Sequence, residues 1–140
     1  MGAVVALRLT RRAAIPADLP PMSEAELQTR VTKLARDLGW GISSQAWAKE
    51  VEQLAAYGQP PFPLEGVAFH VRWSMGSDAG FPDLVLIRRK DKRLLFRELK
   101  RDGKNPTPRQ AAVLELMTAC GLDAAVWRPA DLERIGRELL

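Results

Sequence analysis

The period of the apolar positions changes several times along the chain, and each change marks an element. Residues 1–22 carry Pro16, Pro20 and Pro21, which block regular structure. They read as an arm, in which Val4–Leu9 could add an edge strand. Ser23 opens a helix. Ser23-x-x-Glu26 has the form of a capping box, Leu27, Val31, Leu34, Ala35 and Leu38 follow at helical spacing, and Gly39 fits the stop. A second helical stretch over 44–57 sets Trp47, Val51 and Leu54 on one side, a stripe that suits a core or a subunit interface. The run from Gly58 to Pro63 is a loop.

From Val67 the period drops to two. Val67, Phe69, Val71 and Trp73 alternate with Ala68, His70, Arg72 and Ser74, as in a strand with one buried face. Residues 75–82 form a loop with two glycines. Asp83–Arg89 reads as a buried strand, Lys90-Asp91-Lys92 as a tight polar turn, and Arg93–Lys100 as the returning strand. After a Gly/Asn/Pro loop, Thr107 caps a helix with Pro108 at its first position. Ala112, Val113, Leu116, Met117 and Cys120 supply its apolar side, and Gly121 ends it. Ala124–Trp127 is a short strand and Ala130–Leu140 an amphipathic terminal helix. The order is helix, extra helix, three strands, helix, strand, helix. It predicts an α/β fold with a mixed sheet, no internal repeat and one domain from residue 23 onward.

Length and composition narrow the class. At 140 residues the chain fits one domain and buries enough surface to fold without disulfides or a structural metal. One Cys and one His exclude a disulfide framework, a Cys-rich zinc site and a multi-His centre. No apolar run reaches the length of a membrane span, and Met1–Leu7 makes a poor signal peptide. The expectation is a soluble, cytoplasmic protein with no membrane partner. The net charge is only +4, but between Arg88 and Arg109 ten basic residues meet three acids. That field suits a polyanion such as nucleic acid, or else a solvated charged hairpin.

The candidate chemistry lies at Gly80-Phe81-Pro82-Asp83-Leu84 and Arg97-Glu98-Leu99-Lys100. With a two-residue turn Asp83 falls directly across from Glu98, where cross-strand partners have side chains about 5 Å apart; a turn different by one residue makes them diagonal neighbours, still within reach of a shared ion. Period two sets Glu98 and Lys100 on one face and Leu99 on the other. Two carboxylates so placed either take a proton or share a cation. Hard oxygen ligands suit Mg²⁺ or Mn²⁺ rather than zinc. The Leu99 carbonyl, between the two functional side chains, is a further ligand candidate. Lys100 adds a charge that can orient water or offset charge on a phosphate. A simple Glu98–Lys100 salt bridge is the alternative. Glu24 shares the packed side of the first helix and either joins the metal site or serves as a favourable charge in a first helical turn. Gln110 either completes a Thr-x-x-Gln capping box or supports the site. His70, Arg72 and Ser74, leading to Gly76-Ser77-Asp78, could grip phosphate, with His70 the weakest of them. Lys104 and Arg109 extend the basic surface as candidate DNA contacts.

Glu24, Gly80–Leu84, Glu98-Leu99-Lys100 and Gln110, in this order, resemble the PD-(D/E)XK nuclease superfamily, and within it the small stand-alone phage and bacterial form of the VRR-NUC family. The resemblance covers about residues 23–40 and 67–135 and departs at about 41–65, where an extra helix and a Pro-rich loop are inserted. It implies a restriction-endonuclease-like core and metal-dependent phosphodiester hydrolysis. Asp83, Glu98 and the Leu99 carbonyl would hold the ion, and Lys100 would serve the attacking water. Glu24 would assist the ion or its water, and Gln110 would steady the site. It also implies a homodimer acting on branched DNA, like a Holliday junction resolvase. The alternatives are a nickase or nuclease on duplex, flap or single-stranded DNA, and a non-catalytic DNA-binding module.

Overall fold

In a computed structural model, described here for residues 20–58, 65–71 and 80–140, five strands form one sheet in the order β1-β2-β3-β4-β5. The chain runs α1 (Glu24–Asp37), β1 (Ile42–Ser43), α2 (Ser44–Ala56), β2 (Gly66–His70), β3 (Leu84–Arg88), β4 (Arg93–Leu99), α3 (Pro108–Ala119), β5 (Asp123–Trp127), a 3₁₀ turn (Pro129–Asp131) and α4 (Leu132–Leu139). The β2–β3 and β3–β4 pairs are antiparallel; β1–β2 and β4–β5 are parallel. The predicted elements are present, with two additions. The two-residue β1 pairs beside β2 at the foot of the inserted helix, and the terminal helix begins at Leu132 after the 3₁₀ turn. The arm at 1–19 lies outside the described residues.

Local sequence accounts for the element ends. Ser23 Oγ accepts the Glu26 N–H at 3.1 Å, and the chain leaves α1 through Gly39 at φ +88°. α1 buries Leu27, Val31 and Ala35. With Ile135 and Leu139 of α4, these side chains cover a sheet face made by Ala68, Leu84, Leu86, Leu95, Leu99 and Trp127.

Strand parity decides the fate of two arginines in the basic stretch. Leu84 pairs with Arg97, Leu86 with Leu95 and Arg88 with Arg93, so Arg88 and Arg97 belong to the core face. Both are buried and paired with acids, as a buried cation must be, though Arg97 Nε has no hydrogen-bond partner. Arg88 donates to the carbonyls of Leu38, Leu139 and Leu140 at 3.1, 2.8 and 3.1 Å, grips both oxygens of Asp91, and stacks 4.4 Å over Trp40. Its guanidinium holds the Asp91 carboxyl below the usual carboxylate range, chiefly by that hydrogen bond. Arg97 donates to Phe96, to the Asp123 carbonyl and to the Asp123 carboxylate, over the Trp127 ring. With Arg88 and Arg97 buried, part of the predicted basic field is internal structure and is not offered to a ligand.

α3 corrects the expected burial pattern. None of its residues is fully buried, and Leu116 is 61% exposed. The half-buried positions are Gln110, Val113, Leu114 and Met117, while Ala112 and Cys120 are exposed. The helix is rotated from the expected side because its first turn is tied to β4 by Gln110, whose side chain reaches Glu98. In α2, Val51 and Leu54 are half-buried; the side chain of Trp47 lies outside the described residues.

Candidate active site

The register sets the site. Pairing of Leu84 with Arg97 continues to Asp83 opposite Glu98, and Val71 donates its N–H to the Asp83 carbonyl at 2.7 Å from the other side. The hairpin turn holds four residues, 89–92, with Lys92 in the left-handed region at φ +54°. Four and two turn residues give the same register, so the expected partnership of the acids stands. Pro82 is fully buried ahead of β3, and Phe81 meets Phe96 edge to face with ring centroids 6.1 Å apart. Gly80, at φ +110°, lies so close to α3 that a Cβ there would meet the Arg109 carbonyl at 3.2 Å. That approach sets the loop before Asp83 against the first turn of α3.

Around the acids the donors are divided unevenly. Asp83 Oδ2 accepts the Leu99 N–H at 2.8 Å. In extended backbone the N–H and C=O of one residue point to the same side. The Leu99 carbonyl is therefore directed toward the Asp83 edge, while its side chain is in the core. Glu98, 1% exposed, takes two donors on Oε1: Gln110 Nε2 at 2.8 Å and Lys100 Nζ at 3.4 Å. Its Oε2 is buried with no hydrogen-bond partner. Burial, then the charge of Asp83, pushes the Glu98 carboxyl up to about 7, against the pull of Lys100.

An orphaned carboxylate oxygen beside a second carboxylate is a costly arrangement unless a cation or proton occupies it. The donor set fits a hard divalent ion. Mg²⁺ is held by one or two carboxylates and completes its shell with water. Asp83, Glu98 and the Leu99 carbonyl would hold it.

Other candidates fall at varying distance from this centre. Lys100 is brought to the acids. Gln110 does both things its sequence position allows: its backbone N–H donates to Thr107 Oγ1 at 3.2 Å, its Oε1 accepts the Thr107 N–H at 2.9 Å, and its Nε2 reaches Glu98. Glu24 stands 3.6 Å from Lys104 Nζ, with its Oε1 otherwise without a hydrogen bond. Among the described residues no three acidic, His or Cys side chains converge on one point, so Glu24 does not form a triple cluster with Asp83 and Glu98. Arg109 is exposed on the first turn of α3. His70 pairs with Leu84 and so has the parity of the core face, not that of the acids. Arg72, Ser74 and Ser77 lie outside the described residues. Thr107 was legible only as a helix cap; its link to Glu98 through Gln110 has no local sequence signal.

No family model and no curated protein matches the chain. Among solved structures, a VRR_NUC domain protein superposes with a TM-score of 0.50 and 24% identity, covering 80% of this chain and 82% of the other. The likeness is one of fold, and the mixed α/β architecture expected from the sequence is the one it shares. Among the described residues no helix is long and apolar enough to cross a membrane.

Proposed function

We propose that this chain is a VRR-NUC-type endodeoxyribonuclease that hydrolyses phosphodiester bonds with Mg²⁺ or Mn²⁺. One observation carries the reading: Asp83 and Glu98 face each other with Lys100 against Glu98, and Glu98 Oε2 is buried without a partner. The fold shared with a VRR_NUC domain protein supports it.

Each residue has a defined task. Asp83 and Glu98 bind the ion, with the Leu99 carbonyl completing the protein's share. Bound there, a divalent ion polarises a phosphate oxygen and lowers the pKa of its water. Lys100 orients the attacking water and offsets charge growing on the phosphate. Gln110 holds Glu98. Glu24 assists the ion's water once it leaves Lys104. Lys104 and Arg109, exposed at the same end of the sheet, contact the DNA backbone, together with Arg72, Ser74 and Ser77. With phosphate contacts and no base-reading motif, recognition is by backbone and shape.

Branched DNA is the proposed substrate, cut as a Holliday junction resolvase cuts it. A symmetric junction needs two cuts, and one chain offers one such site. A two-fold homodimer is the economical solution. The test is the purified chain incubated with labelled four-way junction, flap, duplex and single-stranded DNA, with Mg²⁺, with Mn²⁺ and with chelator. Metal-dependent cutting of the junction in preference to the other substrates supports the proposal. Equal cutting of all four removes the junction preference. Binding without cutting under every condition replaces the enzyme by a DNA-binding module.

A further inference from the structure

We propose that Thr107 is a positioning residue of the metal site: by capping α3 it locks the Gln110 amide in the one orientation that blocks Glu98 Oε1 and leaves Oε2 as the oxygen offered to a cation. The proposal rests on the nuclease reading and adds to it a residue that does not touch the ion.

The chain of contacts is continuous. Thr107 Oγ1 accepts the Gln110 backbone N–H at 3.2 Å, and the Thr107 N–H donates to Gln110 Oε1 at 2.9 Å. Gln110 Nε2 then donates to Glu98 Oε1 at 2.8 Å. An amide side chain can usually be turned end for end, because its oxygen and nitrogen have nearly the same shape. Here it cannot. A backbone N–H can only donate, so the end of the amide facing Thr107 must be the oxygen. The end facing Glu98 must then be the NH₂ group, which donates to a carboxylate. The cap thereby fixes not only where the helix starts but which group it presents to the acid.

The consequence falls on Glu98. With Gln110 and Lys100 both directed at Oε1, the two oxygens of the carboxylate are no longer equivalent. Oε2 alone is buried and unpartnered. The geometry thus points to ion binding by Glu98 through Oε2 alone, with Oε1 held by protein. Partners of this kind, one step out from the ligand, commonly change metal affinity tenfold or more when removed. A cap that only started the helix would change stability and leave affinity of the folded chain alone.

The test uses the full chain and two readouts. The first is the Gln110 side-chain amide signal in a ¹⁵N-correlated spectrum without metal. The second is the dissociation constant for Mn²⁺, by titration calorimetry. Thr107→Val keeps the backbone N–H but loses the hydroxyl that ties the Gln110 backbone to it, so the first turn frays, the amide signal moves toward that of a freely rotating glutamine, and Mn²⁺ binding weakens about tenfold. Thr107→Ser, which keeps the hydroxyl, retains the signal and stays within about twofold. Against a Gln110→Met background, Thr107→Val adds less than about twofold, because residues that act through one another are not additive. The proposal is overturned if Thr107→Val leaves the amide signal and the affinity unchanged, or weakens Mn²⁺ equally with and without Gln110. A wild-type chain that takes up no Mn²⁺ overturns the nuclease reading and the metal-directed role of the cap together. That result is distinguishable, because the amide signal still responds to Thr107→Val.

Discussion

The Lys100 ammonium lies 3.4 Å from Glu98 Oε1, and both side chains are buried at the end of β4. The pair is too far apart for a tight hydrogen bond and too enclosed to be a surface ion pair of little consequence. Lys100 offsets only part of what burial and Asp83 do to Glu98, since the carboxyl still sits near 7. A lysine of this kind is available for work beyond neutralising its neighbour. Lys100→Met should lower metal-dependent cleavage by about a hundredfold or more, the scale for a positioned group that serves a reacting water. Mn²⁺ binding should survive, because neither acid is removed. Cleavage rates and calorimetric titration of the same preparation separate the two effects.

Asp83→Asn addresses the repulsion directly. The Leu99 N–H keeps an acceptor, while the charge that disfavours ionised Glu98 disappears. Cleavage should fall below detection. The thermal midpoint in chelator at pH 8 should rise, because one of two facing charges is gone. Scanning calorimetry in chelator checks the second expectation.

The pH dependence of stability has a defined sign. The Glu98 carboxyl titrates near 7 in the folded chain, above its ordinary value of 4.5. Between those pH values the folded state holds a proton that the unfolded state has released. The Glu98 contribution therefore favours folding below about 4.5, declines as pH rises through about 7, and is flat above. Divalent ion at pH 8 should restore the lost stability, since binding to the folded state alone raises the midpoint. Thermal melts at pH 5 to 8.5, with Mg²⁺ and with chelator, test both parts. A metal-free midpoint unaffected by Glu98→Gln across this range would contradict the assignment.

Lys104 serves two partners in the proposed cycle, Glu24 before DNA and phosphate after it. Lys104→Ala should weaken DNA binding about equally for all sequences. It should also reduce the slope of log affinity against log salt by about one, as for a single lost phosphate contact. Fluorescence anisotropy over a salt series, in chelator, measures it.

Arg88→Leu tests the structural share of the basic stretch. The carbonyls of Leu38 and Leu140 lose a donor, that of Leu139 keeps only Trp40 Nε1, and the grip on Asp91 and the stack on Trp40 are lost. The thermal midpoint should drop by about 10 °C. Lys90→Ala, on the exposed turn, should change it little. Melts of the two variants side by side distinguish a clamp from a solvated cluster.

Much of this molecule is written locally. The periods of two and 3.6, the caps Ser23 and Thr107 and the stops at Gly39 and Gly121 all follow from short-range rules, and the nearness of Asp83 to Glu98 follows from the hairpin, though the direct pairing depended on a turn length that the residues left open by one. Tertiary structure decided what those rules leave open. It buried Arg88 and Arg97, whose place on the core face follows from the register but whose partners, such as Leu139 and Asp123, are remote in sequence. It turned α3 so that Leu114, rather than Leu116, faces inward. It made Gln110 both a cap and a donor to Glu98, two readings that the sequence sets against each other. The physical reason is the same in each case. Local geometry fixes which way a side chain points from its own strand or helix, but only packing brings the distant donor, carbonyl or carboxylate into its path.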